Sequence, residues 1–137
     1  MRIEWAALCR YAEESERGTV AVGISSAVSS PLPTIPIEIP LHVIITIADL
    51  YELPALDRLT CRVIGPDGQE VFKQTWMMTL EMTRPEEVPD GFEPRHTFPL
   101  EVRFIAMEAG PYFLVFESPD SPSYQLSYIV VGPQETV

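Results

Sequence analysis

The chain predicts an all-β protein, an antiparallel β-sandwich of about eight strands with immunoglobulin-like or C2-like topology. Three observations predict it. Apolar and polar residues alternate with a period of two in run after run, as in strands with one buried face. The runs recur every ~10 to 15 residues between clusters of Gly, Pro, Asp and Ser. No stretch carries a convincing helical apolar period, and no segment repeats another.

The strongest run folds about Gly65-Pro66-Asp67-Gly68. Leu59, Cys61 and Val63 alternate with Arg58, Thr60 and Arg62; Phe72, Trp76, Met78, Leu80 and Met82 alternate with Lys73, Thr75, Met77, Thr79 and Glu81. Pro66 presets a turn dihedral and Gly68 accepts a positive φ, so residues 59–82 read as a β-hairpin with one face inward.

From the N-terminus, Ile3, Trp5, Ala7, Cys9 and Tyr11 alternate with Glu4, Ala6, Leu8 and Arg10, which predicts a first strand, with a helix as rival because of the alanines. Residues 13–18 are acidic, lack an apolar anchor and predict a solvated connection. Residues 19–28 place Val20, Val22 and Ile24 on one side, and Gly23 signals a bulge or a close backbone approach. Residues 29–40 contain Pro31, Pro33, Pro36 and Pro40, which exclude helix and predict an extended connection or poor edge strand able to cover a sheet edge.

Residues 41–49 are apolar on both faces, with Leu41, Val43, Ile45 and Ile47 opposite His42, Ile44, Thr46 and Ala48, and predict a central strand. Residues 50–56 predict a loop or a single helical turn, and residues 83–96, with Pro85, Pro89 and Pro94, the longest loop. Phe98, Leu100, Val102, Phe104 and Ala106 define the inward side of the next strand. Gly110-Pro111 turns the chain into a strand bearing Tyr112, Leu114 and Phe116, and residues 119–122 turn it again into a last strand bearing Tyr124, Leu126, Tyr128 and Val130.

Length and composition set outer bounds. A chain of 137 residues fits one domain spanning 1–137 and buries roughly two-thirds of its unfolded surface on folding. Hydrophobic residues at 46% and charged residues at 21% are ordinary for a globular protein. The net charge of −11 and the scatter of nine Lys and Arg argue against nucleic acid and anionic membrane as partners. Glu4 and Arg10 interrupt any signal-peptide core, and no stretch approaches the ~20 apolar residues of a membrane span, so the expected location is the cytoplasm. In that reducing compartment Cys9 and Cys61 are expected as buried thiols rather than a disulfide.

Cys9-Arg10-Tyr11-Ala12 leading to Gly18 and Val20-Ala21-Val22-Gly23, then Pro40-Leu41, Pro66-Asp67-Gly68 and Gly110-Pro111-Tyr112, together resemble a family of small bacterial β-sandwich proteins known as a domain of unknown function. The resemblance runs over nearly the whole chain and rests on short, structural motifs. Arg10 stands where that family would have an acidic residue. The resemblance implies a β-sandwich fold and a bacterial origin, and it carries over no catalytic residue.

The sequence nominates no catalytic, cofactor-binding or metal-ligating residue. His42 and His96 are the only histidines, and neither sits in a zinc spacing, so both are expected in structural or solvent roles. Ser25 and Ser26 lack the glycine frame of a hydrolase elbow. Calcium would need six to eight converging oxygens. Asp49, Glu52, Asp57, Asp90, Glu93 and Asp120 hold no recognisable ligand spacing and read as a solvated acidic rim, while Asp67 reads as a turn residue. Trp76 continues an apolar face and is expected in the core; Trp5 is expected partly exposed, and Met77 falls on the polar face, where a thioether suits a contact surface.

These features favour a non-catalytic protein-interaction module that contacts another protein or itself through a sheet face, an edge strand or the 83–96 loop. Two further classes stand beside it. One is a small-molecule or calcium-binding β-sandwich, the other a hydrolase of unfamiliar design.

Overall fold

Among the described residues every strand ladder is antiparallel, as the hairpin-linked pairs within residues 11–22, 56–79 and 110–130 require. The computed structural model describes residues 2–16, 18–25, 27–29, 31–48, 56–79, 95–119 and 121–133. Among these residues there are nine strands: β1 (Arg2–Cys9), β2 (Tyr11–Ser15), β3 (Gly18–Val22), β4 (Ile37–Ala48), β5 (Leu56–Ile64), β6 (Glu70–Thr79), β7 (His96–Ala106), β8 (Gly110–Glu117) and β9 (Tyr124–Val130). They form sheets of order β1-β4-β7, β6-β5-β8-β9 and β2-β3.

Without the β2-β3 hairpin, β1, β4 and β7 take the places of A, B and E of an immunoglobulin-like sandwich. Strands β5, β8 and β9 take those of C, F and G, with β6 added beside β5. Between the two expected topologies, this order is the immunoglobulin-like one. The inward residues are those the alternation singles out: Val43 and Ile45 of β4, Phe98 and Val102 of β7, Leu59, Cys61 and Val63 of β5, Leu114 and Phe116 of β8, and Tyr128 and Val130 of β9. Phe104 and Tyr112 meet across this core with ring centroids 4.9 Å apart.

The N-terminal quarter departs from the sequence reading. A register shift between Ile3 and Trp5 swaps the faces of β1, so that Ile3, Ala6 and Leu8 join the core while Trp5, opposite Thr46, is 38% exposed. Cys9 therefore lies opposite His42, on the side of β4 away from the core. The expected solvated connection at 13–18 is instead part of the β2-β3 hairpin, closed at Ser15 and Gly18. Strand β3 ends at Val22, and Gly23 follows it with φ +69°. Strand β4 begins at Ile37, ahead of the expected Leu41, and carries Pro40 within its ladder.

The proline-rich segment covers a sheet edge, as its sequence predicts. Ile129 N–H donates to Ala27 at 2.9 Å, Ser29 N–H to Ile129 at 2.9 Å and Leu32 N–H to Val131 at 3.0 Å, which occupies the outer edge of β9. The Gly65–Gly68 turn forms as expected, with the Asp67 carboxylate accepting from Gln69 N–H at 3.0 Å. Leu80 and Met82 of the predicted hairpin, and nearly all of the 83–96 loop, lie outside the described residues.

Candidate functional site on the open sheet face

The two outer sheet faces differ. On the three-stranded sheet, Ile44 and Thr46 point away from the core yet are buried, and the β2-β3 hairpin packs against β4 and β7. Thr19 pins it there by donating to the Thr97 carbonyl at 2.9 Å, and Thr97 also shares a 2.6 Å hydroxyl contact with Thr46. Among the described residues the four-stranded sheet has no such cover: none of its outward side chains between Arg58 and Ile64, Lys73 and Met77, Phe113 and Glu117, or Gln125 and Ile129 is buried.

A groove of about 600 Å³ crosses this open face, lined by Arg58, Thr60, Arg62, Glu70, Lys73, Thr75, Glu117, Ser118 and Pro119. Strand register builds it. Arg62 is opposite Lys73, Thr60 is opposite both Thr75 and Glu117, and Arg58 is opposite Met77, which is 61% exposed. Arg62 donates to the Glu117 carboxylate at 2.5 Å and lies 3.9 Å from Glu70. The hydrogen bond and charge of Glu117 hold the Arg62 guanidinium above its ordinary pKa. Thr60 and Thr75 hydroxyls meet at 3.0 Å. Ser118 is 8% exposed, and its Oγ has no hydrogen-bond partner.

Among the described residues the two histidines do not gather. His42 sits outward on β4 with the Tyr11 ring 5.6 Å away, while His96 opens β7 and stacks on Phe98 at 5.7 Å. His42 pairs with Glu101 and Ile47 pairs with His96, so the two histidines are five register steps apart on opposite faces. That is about 17 Å along the sheet, too far to serve one reacting atom. Ser25 caps the edge of β1 through its backbone N–H, 2.6 Å from the Leu8 carbonyl.

Cys9 and Cys61 are both free and buried. Burial raises both thiol pKa values, that of Cys61 to about 12. Among the described residues no three His, Cys, Asp or Glu gather as metal ligands. Asp49, Glu52, Asp90, Glu93, Asp120 and the Asp57 side chain lie outside them. Nor does any described helix have the length and apolarity to cross a membrane.

Sequence reading assigned Arg58, Thr60, Arg62, Lys73 and Thr75 only to the polar side of a hairpin. What assembles the groove is the pairing of β5 with β8, which brings Glu117 and Ser118 to that side. The signal available in sequence was the cation on alternate positions 58 and 62 opposite Lys73.

No protein-family model matches the chain, and no curated protein matches it. Among solved structures it is similar to a glycosyl hydrolase family 2 member from Bacteroides cellulosilyticus DSM 14838, at 15% identity and a TM-score of 0.44. The similarity covers 77% of this chain and 14% of that one.

Proposed function

We propose that the chain is a non-catalytic protein-interaction module that binds another protein through the outer face of its four-stranded sheet. The observation supporting this reading is the contrast between faces: one carries a packed hairpin, the other is uncovered among the described residues and presents Met77 beside a charged groove. Half-exposed apolar side chains within a rim of charges are the make-up of a binding patch. A different protein is favoured over a second copy because two chains of net charge −11 repel each other at long range. Cytoplasmic action in a bacterium fits the free thiols and the family resemblance.

The test is capture from native lysate with the wild-type chain and with a Met77→Asp variant, followed by mass spectrometry and reconstitution with the purified partner. A stoichiometric protein held by the wild type and lost by the variant is expected. A partner held equally by both, or a solution mass at twice 15.4 kDa with no other protein bound, overturns the reading.

A further inference from the structure

The β2-β3 hairpin is fastened at its root and near its tip and loosely seated between them. At the root, Arg10 N–H donates to the Val22 carbonyl at 2.9 Å and Ser25 N–H to the Leu8 carbonyl at 2.6 Å, which ties both ends of the hairpin to the end of β1. Arg10 makes the bend between β1 and β2, and the chain leaves β3 through Gly23 and Ser25 with φ of +69° and +70°. Near the tip, the Thr19 hydroxyl donates to the Thr97 carbonyl, and the Thr97 hydroxyl meets that of Thr46.

Between root and tip the packing is thin. None of the described side chains of β2 and β3 is buried. Those half-covered against the sheet are Ala12, Thr19 and Ala21, whereas the larger apolar groups, Tyr11, Val20 and Val22, stand in solvent. Alanine methyls remove little apolar surface from water, so this seat contributes little. Among the described residues the hairpin pairs only with itself and joins neither large sheet. A space of about 310 Å³ at its root, lined by Tyr11 and Ala12 on one side and by His42, Pro99 and Glu101 on the other, shows that it does not fill its own seat. The sheet beneath is the opposite: Ile44 and Thr46 are buried on its outer side, and its inner side belongs to the core. An element with few buried apolar contacts, resting on one with many, is the kind that opens while the rest stays folded.

We infer that the β2-β3 hairpin is a hinged flap that swings off β4 and β7 while the sandwich stays folded, uncovering Ile44 and Thr46. The root at Arg10 and Gly23 is the hinge, and the bond from Thr19 to Thr97 is the latch. The ladder from Tyr11–Val22 to Ser15–Gly18 stays paired as the flap moves. The flap therefore gates the outer face of the three-stranded sheet, whichever surface a partner uses.

The probe is a thiol placed under the flap. In Thr46→Cys, labelling by iodoacetamide at pH 8 is followed by peptide mass spectrometry, with Cys61 in the core of the same chain as the reporter of global unfolding. Position 46 should be labelled at least tenfold faster than Cys61. In urea well below the unfolding midpoint its rate should hardly change while that of Cys61 climbs, because a local opening exposes little surface. Adding Tyr112→Phe, which weakens the sandwich in the open and the closed form alike, should speed labelling of Cys61 and leave position 46 unchanged. Adding Thr19→Val removes the latch and should speed labelling at position 46 about fivefold. Thermal unfolding checks that each variant is folded, and Ile44→Cys places the thiol under the same flap if Thr46→Cys is not. The inference is overturned if position 46 is labelled at the rate of Cys61 with the same urea dependence, if Tyr112→Phe speeds both thiols alike, or if Thr19→Val leaves position 46 unchanged, which would put the opening elsewhere than at the latch.

Discussion

The Tyr112 hydroxyl donates a 2.7 Å hydrogen bond to the carbonyl of Glu108, four residues earlier in the chain. Its ring is 1% exposed and packs on Phe104, so one side chain ties the β7-β8 connection to the core at the point where the chain changes sheets. Immunoglobulin-like sandwiches use a tyrosine at the start of the corresponding strand in the same way, as a tyrosine corner. Tyr112→Phe keeps the buried ring and deletes the bond. A loss of about 1 kcal/mol is expected, read as a lower urea midpoint with an unchanged slope. A variant as stable as the wild type would show that water replaces the bond at Glu108.

Gly23 leaves β3 with φ +69°, and an added Cβ would come within 2.7 Å of Arg10 Cγ and 2.9 Å of Cδ. Two costs therefore fall on Gly23→Ala, the left-handed backbone and the displaced arginine stem. Together they should destabilise by about 1–2 kcal/mol. Truncating Arg10 to Ala should recover the part due to contact, and a double-mutant cycle measures it. Additive effects of the two changes would place the whole cost in the backbone.

Cys61 is fully buried between β6 and β8, and burial pushes its thiol pKa up to about 12 from an ordinary 9.0. A raised folded-state pKa means that the unfolded chain releases the proton first as pH rises. The stabilisation is full below pH 9 and is lost across the window from 9 to about 12. The slope due to this thiol alone approaches about 1.4 kcal/mol per pH unit within that window. Cys61→Val, close in size and without a proton to lose, should flatten the fall in urea midpoint between pH 9 and 11. An unchanged fall would assign the alkaline loss to other groups, such as Tyr128, whose pKa burial also raises. Since the thiolate is the reactive form, Cys61 should also resist thiol reagents in the native state at pH 8.

Strands from β4 onward were legible because their inward positions are large and apolar and their turns carry Gly, Pro or Asp. The first strand was misread in facing because a register shift after Ile3 breaks the alternation that a sequence can show; Ala6 and Leu8 then face the core in place of Trp5 and Ala7. Of the β2-β3 hairpin, β3 was legible within the strand expected at 19–28, but β2 and the facing of β3 were not. The half-buried positions are the small Ala12, Ala21 and Thr19, while Tyr11, Glu13, Val20 and Val22 point to solvent, so the apolar alternation of Val20 and Val22 marks the outer face and β2 carries no apolar pattern of its own. Both apolar faces of β4 pointed to something lying over Ile44 and Thr46 without saying what it was. The groove depends on residues from Arg58 to Pro119 that meet only through sheet order, which local periodicity does not carry.

Ser118 follows the last residue of β8 and is buried with an Oγ that has no hydrogen-bond partner. A shielded hydroxyl without a partner gives up its bonds to water and gains none in return, a cost of about 1–3 kcal/mol in mutational data. Removing the hydroxyl while keeping Cβ should therefore not destabilise the unliganded chain. For Ser118→Ala an unfolding midpoint equal to or above that of wild type is expected, with a gain of up to about 1 kcal/mol, because alanine also lacks the polar atom to desolvate. A destabilised free chain would mean that Ser118 already holds a bond, to water or to the neighbouring turn.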